Sequence, residues 1–248
     1  MDLDSYSWKR VKEKNQMHYV ISDIHNDSEK LNKLLKAISF DKENDTLYVL
    51  GDLFDRAPYN PNPLGVYYTV QSLEDSCTVI RGNHDEWLAK YIYKYLGTSE
   101  KKRDSLAPYD YNTFLIIKDR LTEVDLWTLA DWLKSKPLQM EVEVEGIKYL
   151  LAHAETSNPT IEKEDFHYLM GNVGFSFLKN GIPGYVSVCG HNPTDMIRLW
   201  YGDEYRPRKM EIWNNPAETV YVIDCGCGLS SDCRLGCLRL EDREEFYV

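Results

Sequence analysis

Short apolar runs alternate along the chain with segments whose leucines and isoleucines recur at helical spacing. Six runs have the length and residue types of buried strands: 19–21, 47–50, 79–80, 149–152, 186–189 and 220–223. Helical spacing occurs from Leu31 to Ile38, after the N-cap candidates Asp27 and Ser28, and again from Leu126 to Leu133. Strands that alternate with helices predict an α/β fold.

Five of the predicted strands end at polar residues that suit metal chemistry. These residues are Asp23, His25, Asp52, Asn83, His153 and His191. Open α/β sheets bind ligands beyond the carboxyl ends of their strands, so we expect the six side chains to converge. A single histidine or aspartate at a strand end is usually structural, but a series of five such ends is hard to explain in that way. Nitrogen and oxygen ligands of this kind suit Mn, Fe or Zn, and a pair of such ions is the standard device for phosphoryl hydrolysis.

The motifs at these strand ends resemble those of the phosphoprotein phosphatases, more closely the short bacterial and phage branch within the calcineurin-like metallophosphoesterase superfamily. That family has G-D-x-H-G, G-D-x-x-D-R-G and G-N-H-E, followed by two separate histidines. This chain has S-D-I-H-N at 22–26, G-D-L-F-D-R-A at 51–57 and G-N-H-D at 82–85, followed by His153 and His191. The resemblance extends from Met17 to Val248. It implies a two-sheet α/β/β/α metallophosphoesterase sandwich with a small helical insertion.

The resemblance also implies a role for each matching residue. Asp23 and His25 would hold one divalent ion, Asp52 would bridge two ions, and Asn83, His153 and His191 would hold the second. Manganese is the expected metal, with iron or zinc as alternatives. His84 would be the general acid, oriented by Asp55, because a neighbouring carboxylate favours the charged imidazole. Arg56 would bind the substrate phosphate with Asn83, and Arg81 would either join them or pair with nearby acids.

The chain departs from the family pattern at several positions. Asn26 and Ala57 stand where the family has glycines, and we expect the backbone to accommodate both small residues. Asp85 replaces the usual glutamate, and the resulting motif, G-N-H-D, is common in the wider superfamily. The stretch from 154 to 190 contains no arginine, although the family usually has a phosphate-binding arginine there. Candidates for a substitute are Arg198, Arg206 and Arg208.

Composition limits the partners and the location. The net charge of −11 and pI near 5.1 disfavour a duplex nucleic acid partner. No apolar run approaches the ~20 residues that cross a bilayer, and 1–16 has no apolar signal core, so a cytoplasmic protein without membrane contact is expected. Four cysteines lie near the C-terminus, at 225, 227, 233 and 237. Their spacing is not a standard zinc motif, which favours reduced cysteines in a terminal hairpin.

We expect a single domain over 1–248, with about 91–113 as a cap-like insertion, because this tyrosine-rich segment fits the alternation poorly. A helix hairpin with a solvated basic turn at 101–103 is the alternative.

The expected activity is that of a metal-dependent serine/threonine phosphatase, in which a hydroxide that bridges the ions attacks a phosphomonoester. The expected partner is then a phosphorylated protein or peptide, or a small phosphoester. The alternative is a hydrolase of nucleotides or dinucleoside polyphosphates such as diadenosine tetraphosphate, because the bacterial tetraphosphatases share these motifs. A non-catalytic metal-binding or phosphate-binding module is disfavoured, because Asp52, Asn83, His84 and Arg56 are all present.

Overall fold

Two five-stranded sheets form the centre of the molecule. The computed structural model describes residues 16–171, 173–202 and 210–248. The first sheet contains β1 (His18–Ile21), β2 (Thr46–Val49), β3 (Cys77–Val79), β9 (Gly236–Arg239) and β10 (Glu245–Tyr247), in the order β10-β9-β1-β2-β3. The second contains β4 (Gln139–Val144), β5 (Ile147–Ala152), β6 (Val186–Cys189), β7 (Trp213–Asn214) and β8 (Val220–Val222), in the order β4-β5-β6-β8-β7.

Each sheet contains three neighbouring parallel strands and two strands in antiparallel pairing. β1, β2 and β3 are parallel, with Val20 opposite Tyr48, and β9 and β10 extend the sheet in antiparallel pairing. β5, β6 and β8 are likewise parallel, with Leu151 opposite Val188, between the antiparallel β4 and β7. The carboxyl ends of the parallel strands in each sheet therefore lie along one edge, as predicted for a ligand site.

Helices cover the outer faces of the two sheets. They are α1 (Ser28–Ala37), α2 (Pro63–Ser72), α3 (Asn83–Leu96), α4 (Glu100–Arg103), α5 (Thr113–Ile117), α6 (Glu123–Lys134), α7 (Asp165–Met170), α8 (Phe175–Asn180) and α9 (Thr194–Tyr201). Both helices expected from sequence form, and the first begins at one of its expected N-cap residues. Asp27 accepts the Lys30 N–H at the start of α1, and Thr122 with Asp125 forms a capping box at the start of α6.

Three apolar layers hold the sandwich together. Between the sheets, Val20, Leu50 and Ile80 pack with Leu151 and Ile223. A larger cluster joins the first sheet to its helices, and a smaller one joins the second sheet to α8 and α9. The order helix, sheet, sheet, helix confirms the predicted α/β/β/α fold. No helix in the described residues is long and apolar enough to span a bilayer.

The segment 91–113 does not begin at a structural boundary. Tyr91, Tyr93 and Tyr95 lie in the second half of α3, which starts at Asn83 and runs unbroken to Leu96. The buried Leu88 and Ile92, spaced by four residues, hold this helix on the core, and Tyr91 and Tyr95 continue the face that they form. α4 and a loop follow. The single-domain organisation and the cap function of this segment remain proposals.

The C-terminal cysteines are free thiols. Cys225, Cys227 and Cys237 are buried, and burial raises the pKa of each thiol. Among the described side chains, the two groups with metal-binding geometry contain no cysteine. The structure therefore agrees with packed, reduced cysteines near the terminal hairpin.

Candidate metal centre and active site

The loops after the strands are tied to one another by backbone hydrogen bonds. The N–H groups of Asp23 and His25 donate to the carbonyls of Gly51 and Asp52, over 3.1 and 3.0 Å. In the second sheet, the Gly190 N–H donates to the His153 carbonyl over 2.7 Å. The His191 N–H donates to Asp23 Oδ2 over 2.9 Å and so connects the two sheets at the site.

Many site residues adopt a left-handed backbone. The φ angles of Asp23, His25, Asp52, Asp55 and His191 lie between 49° and 68°. This region costs a non-glycine residue about 1–2 kcal/mol, and such strain concentrates at functional sites. Asn26 and Ala57, which replace family glycines, also have positive φ values of 63° and 47°. The backbone thus accommodates both non-glycine residues at positive φ, as expected.

Asp23, His25 and Asp52 form the first group of candidate metal ligands. His25 Nε2 lies 3.7 Å from a carboxylate oxygen of each aspartate. His25 Nδ1 is 2.9 Å from the Phe54 carbonyl, which accepts its proton and leaves a lone pair on Nε2. Both Nε2 and Asp23 Oδ1 are buried without a hydrogen-bond partner. Buried acceptors that face one another in this way need a cation between them.

Asp52, Asn83, His153 and His191 form the second group. His153 Nδ1 donates to the Leu50 carbonyl over 2.7 Å, so the Nε2 lone pair faces Asn83 Oδ1 at 2.8 Å. His153 Nε2 also lies 3.5 Å from Asp52 Oδ1, and the His153 and His191 rings are 5.0 Å apart. Asp52, His153 and His191 each offer a ligand atom within 4.8 Å of the others. Asp52 is thus shared between the two groups.

The electrostatics of the site fit divalent cations. Burial, together with the charge of Arg56, lowers the pKa of His25 well below its usual value, and burial lowers the pKa of His191 to about 3. Both imidazoles are therefore neutral, which is the form that binds metal. Burial and the nearby Asp23 raise the pKa of Asp52 well above its usual value. A cation would relieve that penalty, so the donor set fits the two-ion hypothesis, and the ligand assignment remains a prediction.

His84 lies beside this cluster and is held by Asp55. His84 Nδ1 is 2.9 Å from Asp55 Oδ2, which leaves Nε2 pointing to the cluster, 4.0 Å from Asp52 Oδ2. Arg56 Nη2 lies 3.4 Å from the same Nε2. This geometry suits a proton donor next to a bound phosphate. By distance alone, His84 also groups with His25 and Asp52 as a potential ligand, so its role needs a direct test.

Sequence reasoning missed two residues that orient Asp55. The Tyr109 hydroxyl donates to Asp55 Oδ2 over 2.6 Å, and Thr113 Oγ1 accepts the Asp55 N–H over 2.7 Å. Burial and the Asp55 charge raise the pKa of Tyr109 well above 10, so its hydroxyl remains a donor. Both residues lie in the tyrosine-rich segment, and no spacing in that segment indicated which of its side chains turn inward.

Asp85 and Gly228 support the same loops. Asp85 accepts the N–H groups of Asp52, Leu53 and Gly82 over 2.9 to 3.0 Å, a role that its place in the G-N-H-D motif did not indicate. Gly228 has a φ of 82°, and a Cβ there would lie 2.3 Å from the His25 Cβ. Only glycine allows this C-terminal loop to pack against the candidate ligand.

Of the candidate phosphate-binding arginines in the described residues, one lies at the site and two bond to other parts of the protein. Arg56 lies at the site, but Arg81 does not face the cluster: its Nη1 donates to the Lys134 carbonyl and its Nε lies 3.4 Å from Glu86. The geometry therefore favours the alternative role for Arg81, as a partner of a nearby acid. Arg198 donates to the carbonyls of residues 211 and 212. Arg206 and Arg208 lie outside the described residues.

The family comparison agrees with this geometry. The family model described as calcineurin-like phosphoesterase matches residues 19–221, which include all six candidate ligands. The chain belongs to the calcineurin-like phosphoesterase family. The membership of the metallophosphoesterase superfamily inferred from the sequence is therefore confirmed, and the His/Asp cluster is compatible with the divalent metals that this family uses.

Curated relatives within the family are symmetrical bis(5'-nucleosyl)-tetraphosphatases. The protein from Acidovorax ebreus is 34% identical over 179 residues, which cover 72% of this chain and 57% of the relative. That from Pectobacterium atrosepticum is 35% identical over 136 residues, which cover 55% and 42%. The chain thus spans about half the length of the curated relatives that it matches.

Solved structures show the fold at lower identity. A structure assigned as a diadenosine tetraphosphatase has a TM-score of 0.62 at 17% identity, covering 94% of this chain and 92% of its own. A protein serine/threonine phosphatase from Saccharomyces cerevisiae has a TM-score of 0.60 at 12% identity, covering 94% and 79%. The phosphoesterase fold is common to both activities, while the curated relatives favour the alternative function over the protein phosphatase expected first.

Proposed function

We propose that this phosphoesterase hydrolyses dinucleoside polyphosphates, with cleavage between two phosphates of the bridging chain. The observation that carries the proposal is a pair of clefts that meet at Tyr111, whose ring centroid is 4.4 Å from that of His84. One cleft runs along α3 and the other lies beside Arg56. A substrate with a bulky nucleoside at each end of a short phosphate chain needs room on both sides of the reacting phosphate.

The cleft beside Arg56 has a volume of about 470 Å³. Its walls include Pro58, Asn112, Gly228 and Leu229. Asn112 donates to the Arg56 carbonyl over 2.6 Å and so fixes the loop that presents the guanidinium. This cleft would receive the half of the substrate that contains the attacked phosphate.

The ligand sets described above would hold two divalent ions. Asp23 and His25 would bind one ion, Asn83, His153 and His191 the other, and Asp52 both. When bound, such ions neutralise phosphate oxygens and lower the pKa of water at the site, which supplies the nucleophile. Manganese, iron and zinc all suit these donors.

The side chains of this protein supply the remaining steps. Arg56 would hold the phosphate oxygens with its planar guanidinium. Water attacks phosphorus, the bond from phosphorus to the bridging oxygen breaks, and His84 Nε2 gives that oxygen its proton. Asp55 keeps the other ring nitrogen in place, so Nε2 alone points to the leaving oxygen. For a symmetrical tetraphosphate substrate, the products would be two nucleoside diphosphates.

Substrate comparison tests the proposal. Manganese-loaded protein is given diadenosine tetraphosphate, a phosphothreonine peptide and p-nitrophenyl phosphate, and the products are separated by ion-exchange chromatography. We expect kcat/KM to be highest for the tetraphosphate, with adenosine diphosphate as the product. A higher kcat/KM for the phosphopeptide would contradict the proposal and would favour a protein phosphatase.

If metal-loaded protein turned over none of these three substrates, the result would favour a non-catalytic metal-binding or phosphate-binding module. Loss of metal content in the same preparation would instead point to failed loading, so metal is measured in every sample.

A further inference from the structure

The cleft along α3 combines aromatic walls with lysines next to the catalytic histidine. It has a volume of about 340 Å³ and is lined on one side by Trp87, Lys90, Tyr91 and Lys94. These residues follow His84 at helical spacing and form one face of α3. The lining also includes Tyr109 and Tyr111, from the loop that precedes α5. The cleft therefore leads away from His84 along a single helix.

The aromatic wall begins at the His84 ring. Trp87 and Tyr111 have ring centroids 4.9 and 4.4 Å from that of His84. The two rings stack on each other with an angle of 2° between their planes. Tyr91 continues the wall, with its hydroxyl bonded to the Ala107 carbonyl. Such a surface suits a nucleobase, because every base has a flat π face that stacks on aromatic side chains.

The lysines make this cleft locally positive in an acidic protein. Lys94 is exposed and forms no ion pair with another described residue. Lys90 lies 3.1 Å from Glu86, but that carboxylate also lies 2.8 Å from Lys134 and 3.4 Å from Arg81. Three cations thus share one buried carboxylate. The lining also contains Asp110, whose negative charge repels an anion. An anion in the cleft is therefore favoured close to the lysines of α3.

The position of His84 indicates which part of the substrate enters the cleft. A general acid must contact the leaving oxygen, so the leaving group extends from the His84 side of the reacting phosphate. Trp87 and Tyr111 are the walls on that side. We propose that the cleft along α3 binds the leaving nucleoside diphosphate, with its phosphates entering beside His84, its base stacked on the aromatic wall, and Lys90 and Lys94 attracting its negative charge. This rests on the proposed function, because a dinucleoside polyphosphate cleaved within its phosphate chain has such a leaving group.

The test measures binding to manganese-loaded protein by isothermal titration calorimetry. The probes are the α,β-methylene analogue of adenosine diphosphate, which resists cleavage between its phosphates, methylenediphosphonate, which lacks the nucleoside, and inorganic phosphate. The variants are Lys94→Ala and Lys94→Glu, with Lys101→Ala on the exposed α4 as a charge-matched control.

We expect the nucleoside analogue to bind wild-type protein about tenfold or more tightly than methylenediphosphonate, because a stacked base adds its own affinity. Lys94→Ala should raise the Kd of the analogue about fivefold and Lys94→Glu further, while the Kd of inorganic phosphate stays unchanged. Lys101→Ala should leave the Kd values of all three probes unchanged.

Equal affinity for the analogue and methylenediphosphonate would overturn the proposal, as would an equal effect of the Lys94 and Lys101 substitutions. Binding does not depend on turnover, so these outcomes are separate from a failure of the proposed function. A protein that cleaves the tetraphosphate yet fails the binding test would refute the assignment of the cleft alone.

Discussion

The substitution Tyr109→Phe isolates one hydrogen bond that orients Asp55, the partner of the proposed general acid His84. The hydroxyl donates to Asp55 Oδ2 over 2.6 Å, and the same oxygen faces His84 Nδ1 at 2.9 Å. Phenylalanine keeps the ring and its packing on Tyr91 and Tyr111, at centroid distances of 5.1 and 5.7 Å. The substitution therefore removes a donor from a fully buried carboxylate and changes little else.

The magnitude follows from the charge and burial of that carboxylate. Asp55 is 0% exposed, and a hydrogen bond to a charged group contributes about 1.5–3 kcal/mol. We expect the free energy of unfolding to fall by that amount, which lowers the Tm by roughly 3 to 12 °C for a chain of this size. We also expect kcat to fall several-fold, with KM nearly unchanged, because His84 is less firmly oriented.

The matched control is Tyr93→Phe, on α3. The Tyr93 hydroxyl also donates to an aspartate, Asp131 Oδ1 at 2.7 Å, but that bond is exposed. Its loss should change stability by no more than about 0.5 kcal/mol and leave kcat unchanged. Urea unfolding gives the stability of both variants, and initial rates give their kcat. Equal stability and equal kcat for Tyr109→Phe and wild type would refute the inference that this bond positions His84.

Three further substitutions or treatments test the site. His84→Asn should lower kcat by about 10²–10⁴ while manganese content stays at the wild-type value, and loss of metal would instead make His84 a ligand. Gly190→Ala should unfold the site, since its Cβ would lie 1.8 Å from Ser22 Oγ, whereas Gly174→Ala meets nothing within 4 Å and should be tolerated. Removal of metal by a chelator should lower the Tm and abolish turnover, with recovery of both on adding manganese, and an unchanged Tm would contradict a buried two-ion site.

The sequence predicted the fold and the residues that converge at the candidate site because both depend on local patterns. Apolar runs placed the strands, and the parallel arrangement of β1, β2 and β3 brings their polar ends to one edge. Asp23, His25 and Asp52 could be found in this way, since each directly follows a strand. The motif resemblance then added an expected role for each residue, which composition and spacing alone did not supply.

Contacts across long sequence separations were not predictable in the same way. Tyr109 reaches Asp55 over 54 positions, and Gly228 packs on His25 from the far end of the chain. Neither contact produces a periodic pattern of residues in the sequence. Arg81 illustrates the converse, because its position before Gly82 suggested the phosphate, but the helix α6 terminus and Glu86 hold its guanidinium elsewhere.

Anomalous diffraction from crystals of the manganese-loaded protein tests the central claim most directly. The account predicts two peaks, one between Asp23, His25 and Asp52 and the other between Asp52, Asn83, His153 and His191, with His84 Nε2 bound to neither. A single peak, or a peak coordinated by His84, would contradict the two-ion site with a free catalytic histidine.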